Sequence, residues 1–162
     1  MRKINLKCFN YEFEVNSNID KVWEFYTDIR HLEVISPSNI KLKITQTSDN
    51  VLKKGAVACL CGKIIISAQW CSKITFLEKY RYIDEMIPNE NFRPPFQIWK
   101  HEHTFEEIAQ CKTRVIDKIE FKLPYGFIGR LFEFYIGFKL QKIFDHRKRA
   151  TMKFLEMSVS GN

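Results

Sequence analysis

Two adjacent runs of the chain alternate sharply between apolar and polar positions. In Phe96-Gln-Ile-Trp-Lys-His-Glu-His-Thr-Phe105, period two puts Trp99, His101, His103 and Phe105 on one side, opposite Ile98, Lys100, Glu102 and Thr104. The run Thr113-Arg-Val-Ile-Asp-Lys-Ile-Glu-Phe121 gathers Thr113, Val115, Asp117, Ile119 and Phe121 against Arg114, Lys118 and Glu120. Together they predict a hairpin whose inner face mixes aromatic and aliphatic side chains with two imidazoles and a carboxylate. Ionisable groups are costly to bury unless paired, so such a face is either a hydrogen-bonded structural network or a site.

The same reading extends along the chain. Phe9, Tyr11, Phe13 and Val15 alternate with polar residues as a half-buried strand. Ile4 and Leu6 fall in the opposite phase, which predicts a bulge or a strand start near Cys8. Ser17-Asn-Ile-Asp20 reads as a helix N-cap with an acid placed to reach back, and Ile19, Val22, Tyr26 and Ile29 follow at helical spacing. A shorter turn at 31–35 ends against Pro37. Ile40, Leu42 and Ile44 read as a strand, 45–50 as a loop and Lys53-Lys-Gly55 as a turn. Residues 56–61 and 63–76 are predicted strands separated at Gly62, with Ile64, Ile66, Ala68, Trp70 and Ile74 on one face. Residues 80–87 form a further strand with Tyr82, Asp84 and Met86 on one side, although one bulge would exchange Asp84 for Glu85. The loop 88–95 carries Arg93 beside two prolines, a candidate pocket rim.

After Leu123-Pro-Tyr-Gly126 the sequence contains no proline, and 128–156 reads as one helix about 40 Å long at 1.5 Å per residue. Its first half is apolar on more than one face, which predicts that the sheet curls about it and covers it. Arg130, Glu133, Lys139 and Lys142 interrupt a run already too short for a transmembrane span. Gly129 and Gly137 are expected to permit close packing or to mark a bend.

Composition narrows this picture. A chain of 162 residues suits a single domain, 1–162, and its 14 Phe, 6 Tyr and 3 Trp predict a bulky core or an aromatic-lined cavity. The net charge of +7 favours anionic partners. No zinc-finger spacing, RNP-like motif or helix-turn-helix accompanies it, so nucleic acid is disfavoured. The basic cluster His146-Arg-Lys-Arg149 is instead a candidate for transient contact with an anionic membrane. The five cysteines form an odd set without a C-x-x-C pair, and Met1-Arg-Lys-Ile lacks the apolar core of a signal peptide. Both features favour the reducing cytoplasm, with Cys59 and Cys61 as small buried hydrophobes rather than disulfide partners or metal ligands. No serine or cysteine carries a nucleophile motif, and no glycine-rich phosphate loop occurs.

The order of elements is strand, two helices, about six strands of antiparallel pattern, and one long helix. That order resembles the START-like (SRPBCC) helix-grip superfamily, in particular its stand-alone members related to polyketide cyclases and ligand-binding proteins. The pieces carrying the resemblance are Val22-Trp23 with Asp28, Gly55, Trp70, Tyr82-Ile-Asp-Glu85, Trp99-x-His101-x-His103-x-Phe105, Thr113-x-Val115-x-Asp117, Leu123-Pro-x-Gly126-x-x-Gly129 and His146-Arg147. The resemblance implies an α+β, Bet v 1-like fold: a curved seven-stranded antiparallel sheet around a long C-terminal helix, with two short helices. It also implies an internal cavity for a small hydrophobic molecule such as a lipid, a polyketide or a quinone. It implies no cofactor and no metal.

The candidate ligand-binding residues are Trp70, Asp84, Trp99, His101, His103 and Asp117 from the strands, with Phe134 and Phe138 from the helix. His101 and His103 are open between two roles: core imidazoles bonded to Asp117 or a backbone carbonyl, and groups that touch a ligand. In a cyclase or dehydratase one of them would move a proton while Asp117 holds the ring tautomer. Two histidines at i, i+2 can also chelate, with Asp84 or Asp117 completing a triad. Arg147 is expected to cap the helix C-terminal carbonyls or to pair with a sheet carboxylate.

Overall fold

The computed structural model describes residues 6–64, 66–92, 94–124 and 126–157. Ile4 and Arg93 lie outside them. In chain order the elements are β1 (Lys7–Val15), α1 (Ile19–Thr27), α2 (His31–Val34), β2 (Lys43–Thr47), β3 (Val57–Lys63), β4 (Ser67–Glu78), β5 (Arg81–Ile87), β6 (Ile98–Ala109), β7 (Lys112–Lys122) and α3 (Gly126–Met157). The strands form a curved seven-stranded antiparallel sheet in the order β1-β7-β6-β5-β4-β3-β2. Every strand therefore pairs with its sequence neighbour except β1, which closes on β7.

The alternation decides which side of this sheet is wet. On β7, Thr113, Val115, Asp117, Ile119 and Phe121 are all buried, while the residues between them are more exposed. Their β6 counterparts His101, His103 and Phe105 are buried on the same face. The unbroken register of β5 on β6 sets Asp84 opposite His101, so Asp84 rather than Glu85 joins this face.

Several local expectations shift. Asn18, not Ser17, caps α1, its Oδ1 accepting from the Asp20 amide at 2.8 Å. The Asp20 carboxylate turns outward to Tyr80 and Lys79 instead. Strand β2 includes 45–47, part of the expected loop. Strand β3 runs through Gly62 to Lys63, and the glycine is needed for a close approach. A Cβ there would lie 3.2 Å from Leu42 Cδ1 and 3.4 Å from the Ile40 carbonyl oxygen.

The cysteine reading is corrected too. Cys59 and Cys71 sit directly opposite each other on β3 and β4 and form a disulfide. Their sequence separation of 12 resembles no short motif, and only the strand register brings them together. The cysteine ground for expecting a reducing compartment is thereby lost, because structural disulfides persist in oxidising surroundings.

Helix α3 lies across the inner face of the sheet on Ile136, Leu140, Phe144, Arg147, Thr151 and Leu155, all buried and spaced by three or four residues. Gly129 seats its first turn, since a Cβ would fall 2.2 Å from the Pro124 carbonyl oxygen. The expectation that the first half would be covered on all sides is overturned: Leu131, Phe132, Phe134, Tyr135 and Phe138 face outward and are exposed. The sheet grips one side of the rod only. No described helix is long and apolar enough to cross a membrane.

Candidate functional site

Four ionisable side chains from three neighbouring strands meet on the inner face. In register, Asp84 of β5 lies opposite His101 of β6, and Asp117 of β7 lies opposite His103. His101 reaches diagonally with Nε2–H to Asp117 Oδ1 at 2.8 Å. His103 Nδ1 lies 3.0 Å from the same oxygen but too oblique for an aligned hydrogen bond, so Nδ1 and Asp117 Oδ2 are buried without an aligned partner. His103 Nε2 is 3.3 Å from Asp84 Oδ2, and His101 Nδ1 is 3.7 Å from it. The imidazole rings are tilted at 37° to each other with centroids 3.7 Å apart. Tyr82 stacks on His103 at 4.1 Å, and Phe144 meets His101 edge-on at 5.7 Å.

Burial divides the protons between these groups. Removal from water, reinforced by the neighbouring His103 charge, lowers His101 to about 4 despite its bond to Asp117. Burial pulls His103 down as well, but the carboxylates on either side outweigh it and hold its pKa above the ordinary value. Burial would raise Asp117 and Asp84, and the imidazoles reverse both shifts, helped at Asp84 by the Arg147 charge. The resulting bias keeps a proton off His101, favours one on His103 and favours the ionised form of both carboxyls. Burial also pushes the Tyr82 phenol well above its usual value.

The cluster faces a cavity of about 190 Å³ between sheet, short helices and α3. Trp70, Ile74, Met86 and Trp99 line it from the strands, Ile35 and Ile40 from the α2 region, and Leu140, Ile143 and Phe144 from α3. Polar groups on its wall include Asp84, His101, His103 and Arg147.

The structure brings together most of the sequence candidates. Trp70, Asp84, Trp99, His101 and His103 line the cavity, whereas Asp117 stands behind the imidazoles, 0% exposed. Phe134 and Phe138 do not line it: they are 90% and 55% exposed on the outer side of α3, because the inward phase belongs to Ile136 and Leu140. Arg147 was not among the ligand-contacting candidates, and neither expected partner is present. Among the described residues its guanidinium makes no hydrogen bond or ion pair, resting 5.1 Å over the Phe144 ring on the cavity wall. The signal for it was helical phase, since Leu140, Phe144, Arg147 and Thr151 fall on one stripe.

Asp84, His101 and His103 offer three donor atoms within 4.8 Å of one another, a spacing that a small divalent cation could use. His103 lies between the two carboxylates, which favour its protonated form.

No family model matches the sequence, and no curated protein matches it either. Solved structures do. An aromatase/cyclase of Streptomyces shares 15% identity over 98% of this chain and 99% of its own, with a TM-score of 0.70. A START superfamily protein of Mycobacterium smegmatis also has a TM-score of 0.70, at 10% identity over 93% of this chain and 97% of its own. A major latex-like protein of Panax ginseng reaches 0.67 at 11% identity, covering 93% and 97%. These likenesses establish the START-like helix-grip fold.

Proposed function

We propose that the protein binds a compact hydrophobic molecule between the sheet and α3, oriented by the imidazole pair and the Arg147 guanidinium. The observation that carries this reading is the pairing of an apolar, aromatic-walled void with a few convergent polar groups, the usual make-up of a small-molecule site. An unpaired cation facing that void favours a ligand with a carbonyl or other electron-rich oxygen at one end. The volume lies below the roughly 300–1,000 Å³ typical of such sites, which favours a ring-sized occupant over a long acyl chain. Native mass spectrometry of purified protein, followed by organic extraction, is expected to find a bound apolar molecule. It should also find loss of retention in Trp70→Asp. Protein that stays empty when offered quinones, polyketides and lipids would remove the proposal.

A second reading, cyclisation or dehydration of a polyketone, is favoured by the opposed proton affinities of His101 and His103. Divergent pKa values in one site suggest a base and an acid. With Nε2–H committed to Asp117, neutral His101 would take a proton from the carbon between two carbonyls at Nδ1. The enolate carbon would bond to a second carbonyl carbon, and that oxygen, now an alkoxide, would take a proton from His103. Exchanging His101 and His103 for Gln should then abolish turnover of a model polyketone while sparing retention. Unchanged turnover would exclude catalysis by this pair.

A further inference from the structure

The outer face of α3 has no partner in the fold. Leu131, Phe134, Tyr135 and Phe138 recur at three- and four-residue steps on the side opposite Ile136 and Leu140, and are 66%, 90%, 46% and 55% exposed. Phe132 extends the patch at 55%. A contiguous apolar surface of this kind marks an interaction site rather than the scatter of single exposed residues normal for proteins.

Charge indicates what covers it. Lys139 Nζ lies 5.5 Å from the Tyr135 ring centroid and Lys142 Nζ 4.5 Å from that of Phe138, so cations border the aromatic patch itself. About two and three turns beyond Lys142, exposed Arg149 and Lys153 continue the same stripe. None of these four cations forms an ion pair among the described residues. The nearby acids are engaged elsewhere: Glu133 with Lys7, and Asp145 with Tyr11 and Gln141. Rings in the first half of a helix and unpaired lysines and arginines beside and beyond them form the pattern of a helix lying in a lipid interface. A second copy in an isologous contact would present the same cation-bordered patch and so bring these lysines and arginines no anions. Nucleic acid offers no apolar interior for this patch.

We infer that the outer face of α3 docks on an anionic lipid bilayer, with Phe134 and Phe138 inserted among the acyl chains and Lys142, Arg149 and Lys153 at the phosphates. The opposite face of the helix is a wall of the cavity, through Leu140, Phe144 and Arg147. Docking thus brings the pocket within one helix diameter of the lipid. The docking goes beyond the ligand-binding reading and does not depend on it, since an empty pocket would leave this face unchanged.

Co-sedimentation of the full chain with phosphatidylcholine vesicles, with and without 30% phosphatidylglycerol, tests the inference. The expected result is at least tenfold tighter binding to the anionic vesicles, weakened by added salt. The Phe134→Ser/Phe138→Ser double variant should lose this binding while keeping the wild-type melting temperature, because both side chains lie in solvent. Lys142→Glu should weaken it several-fold. Absent binding, or equal binding by the double variant, would overturn the inference. So would a stable dimer in sedimentation that the double substitution disperses and that ignores vesicles.

Discussion

Asp117 organises the site without touching the cavity. Wholly buried, it accepts from His101 at 2.8 Å and lies 3.0 Å from His103. Replacing it with Asn would leave His103 less able to hold a proton and free the His101 ring to turn. We expect Asp117→Asn to destabilise the fold by about 3 kcal/mol, the scale for breaking a buried charged network, as read by chemical denaturation. The histidine pair also sets a pH signature. His103, raised in the fold, contributes stability that is complete below its ordinary 6.5 and fades as pH climbs through its folded value. His101, lowered to about 4, has the opposite sense: from 6.5 down to about 4 the unfolded chain takes up a proton that the folded one refuses. That costs on the order of 3 kcal/mol over this window at 1.36 kcal/mol per unit. Thermal melting should therefore be highest near neutral or slightly acidic pH and decline steadily towards pH 4. In His101→Gln the acid decline should flatten. That His101, His103 and Asp117 share one inner face was legible in the sequence from period two alone, whereas Asp84 was legible only up to a bulge. Arg147 was not, because a long helix apolar on several sides does not announce which stripe faces in.

Among the elements, strand and helix bounds alike were readable to within a few residues, but the partners of the cap residues were not. Asp20 fitted a reach-back role by spacing, but Tyr80 and Lys79 offer it stronger partners in space. Neither residue is local to the cap, so no window around it could reveal them. The glycines of α3 separate cleanly once neighbours are known. Gly137 has nothing within 4 Å of where a Cβ would stand, so Gly137→Ala should stabilise by about 1 kcal/mol through helix propensity alone. Gly129 faces a fixed backbone carbonyl, so Gly129→Ala must displace the first turn, and we expect a loss of about 2 kcal/mol. Opposite shifts in melting temperature for the two variants would verify the packing of α3; equal shifts would contradict it.

For the molecule as a whole, element order and the alternation of faces led to the helix-grip architecture that the sheet topology displays. Two properties stayed hidden because they belong to distant pairs rather than to runs. One is the disulfide, which arises only from the register of β3 on β4. Alkylation of unreduced, unfolded protein should modify Cys8, Cys61 and Cys111 and spare Cys59 and Cys71. Reduction should lower stability by about 3 kcal/mol on loop-closure grounds. The other is the bare outer side of α3, which depends on how far the sheet wraps.

The pairing of β1 with β7 has a consequence for synthesis. Lys7 faces Phe121 and Val15 faces Thr113, so β1 finds its neighbour only after β7, the last of the seven strands in sequence, has left the ribosome. Until then its aromatic row stays uncovered on a nascent polypeptide, a slow and aggregation-exposed stage. An amino-terminal deletion through Val15 would strip the edge from the strand that carries Asp117. It should therefore cost the site as well as the fold.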